Sequence, residues 1–269
     1  MPFTISHAAA ILPFTRFLRR WRVLSALLIG AMVPDFGYLM PWRLPRIETH
    51  SASALLSFCL PLGLATYWIF QRLIKAPLRE VLPDGAYAAS LPFAPLADMR
   101  SPRQWLVASC GVIVGAVTHL IWDGFTHEGA RGVRMLPGLD EWFVDFAGHE
   151  LQGPRFLEDL SSVRGLIVVA WFVWRFLCTP AAVGGLQSDC PPRRLRSPER
   201  RSWRVAYGAT AFAVGAADLV LIRWFYPRAS GIGAYVGMAA IASLRGLGVA
   251  VLGVSLCLAI RLHVHRSVD

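Results

Sequence analysis

The chain has 269 residues, of which 55% are hydrophobic and only 16% are charged. Soluble domains carry about 25% charged residues, so this composition excludes an ordinary soluble protein and indicates an integral membrane protein. We assign the net charge of +10 to membrane topology, because Lys and Arg collect in cytoplasmic loops. No basic patch with interleaved aromatic residues indicates a nucleic-acid partner.

Six apolar stretches predict membrane-spanning helices, each of which needs about 20 mostly apolar residues. The fourth reaches this length only with its flanking residues, so it predicts either a full span or a helical hairpin or re-entrant segment. The sequence therefore predicts an all-α, polytopic membrane helical bundle with five to six transmembrane helices, in contact with the lipid bilayer. The stretches are residues 23–40, 52–74, 105–122, 165–178, 204–226 and 244–262.

Charged residues orient these helices. Basic residues precede the first span and lie between the second and third, and the segment 192–204 carries six Arg against one Glu. The segment 123–162 reverses the balance, with eight acidic residues against three Arg. The positive-inside rule predicts a multi-pass protein of the bacterial inner membrane, with both termini cytoplasmic and 123–162 outside.

The same patterns predict three regions along the chain. Residues 1–186 form a membrane helical domain that includes the outer segment 123–162. Residues 187–203, rich in Pro, Arg and Ser, form a basic cytoplasmic linker. Residues 204–269 form a C-terminal pair of transmembrane helices.

Five ionisable residues fall at one membrane depth under this topology. On a helix, residues four apart share a face, so His119 and Asp123 can bind one ion, and His127 joins them if the helix continues. Asp35 and His50 lie at the outer ends of other spans. Imidazole and carboxylate together indicate a divalent metal, with zinc preferred and manganese or iron as alternatives.

Plainer interpretations of these residues remain open. Each His is also typical of a membrane–water interface, and Asp35 after Pro34 is typical of a helix break or a cap. Asp123 could instead pair with Arg131. His7 becomes a ligand only if the apolar segment 3–15 dips into the bilayer, and lies away from the site if that segment stays on the cytoplasmic surface.

Four segments resemble a family of uncharacterised bacterial integral membrane proteins, domain of unknown function 4184, over about residues 1–180. The family is similar, more distantly, to inner-membrane metal-dependent hydrolases and to the all-helical zinc-dependent phospholipase C and nuclease group. The resemblance implies six metal ligands: His7, Asp35, His50, His119, Asp123 and His127. The segments are MPFTISHAAAILPF at 1–14, ALLIGAMVPDFGYL at 26–39, THSAS at 49–53 and GAVTHLIWDGFTH at 115–127.

The chain departs from this pattern before the fourth span. The pattern has a His where this chain has Asp159, in EDLSSVRGL at 158–166. Asp159 is therefore the expected substitute for a last ligand or acid–base residue. His149 and Glu150, in the same outer segment, are alternates.

Two functions follow from these observations. The first is a membrane-embedded metal-dependent hydrolase acting on phosphoester or lipid-like substrates, with Asp35 or Glu128 as general base. The second is a non-enzymatic membrane protein with a transport, structural or partner-binding role. In the second, Asp218 and Arg245 in the last two spans gain importance, either as a charge pair between helices or as two snorkelling side chains.

Overall fold

A computed structural model describes residues 4–15, 23–40, 44–91, 97–136, 138–139, 141–146, 149–178, 195–225 and 232–268. The chain divides into two compact units. The first unit contains residues 1–67 and 98–174, and the second contains residues 68–97 and 175–269. The predicted basic cluster before the first span and residues 187–194 of the predicted linker lie outside the described residues.

Nearly all of the described secondary structure is helical. Two 3₁₀ helices, Thr4–Ala10 and Leu12–Phe14, begin the described chain. The α-helices are α1 (Leu24–Met32), α2 (Phe36–Leu39), α3 (Arg46–Thr49), α4 (Leu60–Ile69), α5 (Lys75–Glu80), α6 (Asp84–Ser90), α7 (Pro102–Thr126), α8 (Arg131–Arg134), α9 (Gly153–Leu177), α10 (Ser197–Phe225) and α11 (Ile232–Val268). A 3₁₀ turn, Val33–Asp35, joins α1 to α2, and π turns at Leu55–Cys59 and Phe70–Ile74 flank α4.

The predicted membrane helical bundle is confirmed. Within the described residues, four helical segments are long and apolar enough to cross a membrane: Pro102–Thr126, Gly153–Leu177, Ser197–Arg223 and Gly237–His263. They correspond to the third to sixth predicted spans, so the fourth is a full helix and not a hairpin. The first predicted span is the shorter apolar helix Leu24–Leu39.

The first predicted span changes its helix type at Pro34, and this change positions an acidic side chain. Proline has no backbone N–H, so it suits the first turn of a new helical segment and not a helix interior. Pro34 occupies that position in the 3₁₀ turn. Asp35 follows it with a buried side chain that is 3% exposed.

In the first unit, α1 and α7 pack with their backbones in contact. A side chain at Gly30 would overlap the carbonyl oxygen of Val112, and one at Gly115 would overlap that of Leu27. Small residues at helix crossings allow this close approach inside membranes. The contact brings the end of α1 beside the second half of α7.

The segment 123–162 contains strands that the sequence did not predict. After α8, the strands β1 (Phe143–Phe146) and β2 (His149–Gln152) form an antiparallel hairpin, in which Phe143 pairs with Gln152. The helix α9 then begins directly at Gly153.

In the second unit, α10 and α11 pair along their length. Gly246 on α11 lies against the backbone of Ala211 and Gly215 on α10. Nearby, the Arg245 guanidinium donates to the Asp218 carboxylate at 3.1 Å, so these two residues form a charge pair between the helices. The helix α10 begins at Ser197, inside the predicted linker.

Candidate metal centre

The helix α7 places His119 and Asp123 on one buried face. This face continues the stripe of Gly111 and Gly115 that packs against α1. The His119 Nδ1 lies 2.8 Å from the carbonyl oxygen of Ala31. A carbonyl only accepts hydrogen bonds, so Nδ1 carries the proton and Nε2 is left as a free lone pair facing Asp123. In metal-binding histidines, the ring nitrogen that does not bind the metal commonly makes such a hydrogen bond, which orients the ring.

Asp35 and His50 approach the same point from two other segments. His50 Nε2 lies 3.2 Å from Asp35 Oδ1, and His119 Nε2 lies 3.6 Å from the same oxygen. On its other side, His50 Nδ1 lies 2.6 Å from the Thr49 hydroxyl, which fixes the orientation of the ring. The loop before the second predicted span thus contributes one imidazole to the centre.

His7 reaches the centre from the first described helix. Its ring stacks on that of His119, with centroids 3.7 Å apart, and Nε2 lies 3.6 Å from Asp123 Oδ1. A side chain at Gly165 of α9 would come within 2.7 Å of the Ser6 Cβ, so α9 and the helix that carries His7 are in close contact. His7 is 1% exposed. The segment therefore adopts the position that ligation by His7 requires.

His127 lies at the edge of this cluster. It follows the last residue of α7, and its Nδ1 lies 3.8 Å from Asp123 Oδ1. Its side chain is 19% exposed, whereas that of His119 is fully buried. Burial lowers the pKa of His127 below its ordinary value, so the ring is neutral at pH 7.

Two groups of three donors share His119. One consists of His7, His119 and Asp123, and the other of Asp35, His50 and His119; within each, all three donor atoms lie within 4.8 Å of one another. Ligands about 2.0–2.1 Å from a tetrahedral ion are separated by roughly 3.3–3.4 Å. The distances of 3.2–3.6 Å between the closest ligand atoms therefore match the spacing around one ion.

Several donor atoms in this centre are buried without a hydrogen-bond partner. Among the described residues they are both ring nitrogens of His7, Nε2 of His119, Oδ2 of Asp35 and Oδ1 of Asp123. Burying an unsatisfied polar atom costs free energy, so such atoms are rare and call for an explanation. A cation coordinated by these lone pairs would satisfy them, and the donor set fits a divalent metal.

Arg46 contacts the centre, and the sequence analysis missed it. Its Nη2 donates to Asp123 Oδ2 at 2.7 Å. The alternative in which Asp123 pairs with an arginine is confirmed, but the partner is Arg46 and not Arg131, which is exposed at the start of α8. A signal was present in the sequence: Arg46 precedes His50 by one helical turn, the spacing that also relates His119 to Asp123.

The other predicted site residues are less closely placed. Glu128 is exposed in the turn after α7, and among the described contacts none joins it to the cluster. Asp159 is 54% exposed and pairs with Arg155 at 3.5 Å. The adjacent Glu158 is instead buried, and its charge acts on His127. The alternates His149 and Glu150 lie on β2, with side chains outside the described part of the structure.

A pocket of about 470 Å³ lies beside the loop that carries Arg46 and His50. Its lining combines aliphatic and aromatic carbon with hydroxyl groups and one carboxylate. The residues are Leu44, Ile47, Glu48, Ser51, Ser53, Ser57 and Phe58.

The fold and the cluster define a helical membrane protein with a buried centre of imidazoles and carboxylates. The chain belongs to the family described as Domain of unknown function (DUF4184), which it matches over residues 1–256. This match extends beyond the region in which the sequence alone suggested the resemblance, and it includes every candidate ligand. Comparisons with curated proteins and with solved structures found no match.

Proposed function

We propose that this protein is a membrane-embedded, metal-dependent hydrolase that acts on phosphoester or lipid-like substrates. The observation that carries the proposal is the convergence of buried donor atoms from four separate segments, several of them without a hydrogen-bond partner. Hydrogen bonding among themselves does not satisfy these atoms, whereas a shared cation would.

The residues that would hold the metal are the six identified from the sequence. His7, His119 and Asp123 supply one group of donors, and Asp35 and His50 supply further ones. Mixed imidazole and carboxylate donors suit zinc best, with manganese and iron as alternatives. The single free nitrogen of His119 binds one ion, so a second ion would depend on a carboxylate shared between the two.

A bound divalent cation would supply Lewis acidity, which lowers the pKa of water and polarises a phosphoryl or carbonyl oxygen. The chain's own groups supply orientation and proton transfer. Asp35, whose Oδ1 lies 3.2 Å from His50 Nε2 and 3.6 Å from His119 Nε2, is the buried candidate for general base. Glu128 is the exposed candidate, five residues after Asp123 along the chain.

The pocket beside the segment that carries Arg46 and His50 supports an amphiphilic substrate. Leu44, Ile47 and Phe58 offer carbon surface to an apolar chain, and the Ser51 and Ser53 hydroxyls offer hydrogen bonds to a polar head. Such a molecule has access to a site in a membrane protein from the lipid phase as well as from water.

We propose further that the centre faces the outer side of the bacterial inner membrane and that both termini are cytoplasmic. The support is the charge pattern, basic in 192–204 and acidic in 123–162. Alkaline phosphatase fused after Leu136 should be active, and the same enzyme fused to the C-terminus should be inactive. The reverse pattern would contradict this orientation.

Metal analysis tests the centre directly. Full-length protein purified in detergent should contain zinc in a fixed ratio by elemental analysis, and the double variant His119→Ala/Asp123→Ala should lose it. His263→Ala is the matched control, because His263 is exposed on α11. Folded wild-type protein that takes up no divalent metal would defeat the proposal.

Turnover tests the chemistry. Wild-type protein should hydrolyse at least one of a chromogenic phosphomonoester, a phosphodiester and a fluorescent phospholipid, with activity lost on chelation and restored by zinc. Stoichiometric metal with no turnover of any of these would favour the non-enzymatic alternative.

A further inference from the structure

We propose that Arg46 is an anion-recognition residue at the mouth of the metal centre and selects ligands that carry a phosphate group. The inference deepens the proposed function and rests on it. It begins with exposure: the Arg46 side chain is 39% exposed, whereas the Asp123 carboxylate that it contacts is 3% exposed. The guanidinium therefore connects the surface to the buried donors.

The position of Arg46 is set by its contact with Asp123 and by the segment that follows it. It opens α3, the short helix Arg46–Thr49 that leads directly to His50. His50 is held by Asp35 and Thr49. Because His50 is held at the cluster, the backbone of Arg46, one helical turn earlier, is also held next to the cluster.

The contact with Asp123 uses only part of what Arg46 can donate. One terminal nitrogen donates to Asp123 Oδ2, and the Arg46 side chain also hydrogen-bonds Tyr38. A guanidinium carries five N–H donors in a planar fork, so further donors remain for a ligand. The fork matches two oxygens of a phosphate, and charge-assisted pairs of this kind are strong. A cation held through Asp123 would share the negative charge of that carboxylate and weaken its hold on Arg46.

A purely structural role is the competing explanation. Arg46 then serves only to neutralise a buried carboxylate, and its loss lowers stability without any specific effect on anions. The two roles differ in one measurable quantity, which is the affinity for phosphate at unchanged metal content.

The experiment uses full-length protein in detergent, loaded with zinc, and titrates inorganic phosphate by calorimetry while elemental analysis follows the metal. Arg46→Gln should keep its zinc and lose phosphate affinity by about 10- to 100-fold. Arg46→Lys, which keeps the charge and loses the fork, should fall between the two. Arg131→Gln is the matched control, an exposed Arg near the same site, and should bind phosphate as the wild type does.

The outcomes separate the two proposals. Arg46→Gln with wild-type phosphate affinity and full zinc content overturns the role of Arg46 and leaves the metal centre intact. Wild-type protein without zinc defeats the hydrolase proposal, and the phosphate titration of that protein and of Arg46→Gln still decides whether Arg46 binds anions. If Arg46→Gln does not fold, Arg46→Lys decides: weaker phosphate binding supports the proposal and equal binding overturns it.

A competition experiment in nanodiscs identifies whether the phosphate group belongs to a lipid or to a soluble compound. In nanodiscs, phosphatidic acid should compete with inorganic phosphate if the natural ligand is a lipid head group. Absence of competition assigns the site to a soluble phosphate compound. Both outcomes require an Arg46-dependent affinity for phosphate.

Discussion

The imidazole of His119 lies face to face with that of His7, with ring centroids 3.7 Å apart and planes inclined by 24°. The two residues come from distant parts of the chain, and both are almost completely buried. Two protonated rings could not remain so close without strong repulsion. The contact therefore disfavours protonation of both rings at once, and the neutral form is the state that a metal ligand needs.

The burial of the ligands predicts an order of importance among them. His7→Ala and His119→Ala should each reduce zinc affinity by at least about tenfold, because each removes a buried donor, by analogy with the loss of supporting groups at metal sites. His127→Ala should have the smallest effect, since its ring is partly exposed and lies farthest from Asp123. Zinc competition with a chromophoric chelator measures the three affinities. A larger loss for His127→Ala than for His119→Ala would contradict this geometry.

The crossing of α1 and α7 predicts a second effect, remote from the ligands. In Gly115→Ala the new methyl group would meet the backbone of Leu27 and Ala31. Overpacking of this kind typically costs about 1–3 kcal/mol. It would also displace the Ala31 carbonyl that orients His119, so zinc affinity should fall together with thermal stability.

Gly124→Ala is the matched control for Gly115→Ala. It lies on the same helix and next to Asp123, but a side chain there meets no described atom within 4 Å. Replacing Gly by Ala in a helix interior stabilises it by about 0.5–1 kcal/mol. Gly124→Ala should therefore retain zinc and unfold at an equal or higher temperature. Equal damage from the two substitutions would show that the helix crossing does not position the centre.

The charge environment of His127 predicts its titration in the metal-free protein. Desolvation by burial is the largest influence and lowers the pKa below 6.5, and the charge of Arg46 lowers it further. The folded protein therefore binds a proton at His127 less readily than the unfolded chain, and stability rises with pH from the folded pKa up to about 6.5. An NMR titration of the labelled imidazole should have its midpoint below 6.5 in the wild type and at a higher pH in Arg46→Gln. A midpoint above 6.5 would contradict the burial of the ring.

Much of the candidate site was predictable because its residues obey local rules. His119 and Asp123 lie one turn apart inside a long apolar helix, so their common face followed from helical periodicity. The convergence of Asp35 and His50 with them required only the order of the spans and the charges of the loops. His7 was placed in the same cluster from a family resemblance, because its segment alone allowed two positions.

The remaining features depend on contacts that no local pattern encodes. Arg46 reaches Asp123 because α3 turns toward α7, which is a tertiary relationship. The strands β1 and β2 are only four residues long and lack the alternation of apolar and polar residues that marks a half-buried strand. Near the start of α9, the burial of Glu158 in place of the expected Asp159 depends on the rotation of that helix about its axis, which no local pattern fixes.

That last pair gives a test with an internal control. Glu158 is buried and its negative charge raises the pKa of His127, whereas Asp159 is exposed; Arg155 contacts both carboxylates. Removing the buried negative charge of Glu158 should make the centre less favourable for a cation, so Glu158→Gln should weaken zinc binding by roughly tenfold. It should also shift the His127 titration further toward acid. Asp159→Asn changes the neighbouring residue in the same way and should leave both quantities unchanged.

The charge pair of the second unit predicts an effect on folding alone. Asp218→Asn removes the carboxylate that pairs with Arg245 between α10 and α11, and an arginine charge within a membrane helix costs about 2.5–3.5 kcal/mol on insertion scales. The variant should therefore unfold at a lower temperature while keeping its zinc, because every candidate ligand lies in the first unit. Replacing both residues, as in Asp218→Asn/Arg245→Gln, should restore much of the loss, since the arginine charge is then removed as well. Thermal unfolding followed by fluorescence, with zinc content measured on the same samples, decides the outcome. Loss of zinc from the folded single variant would mean that the metal centre depends on the C-terminal helices.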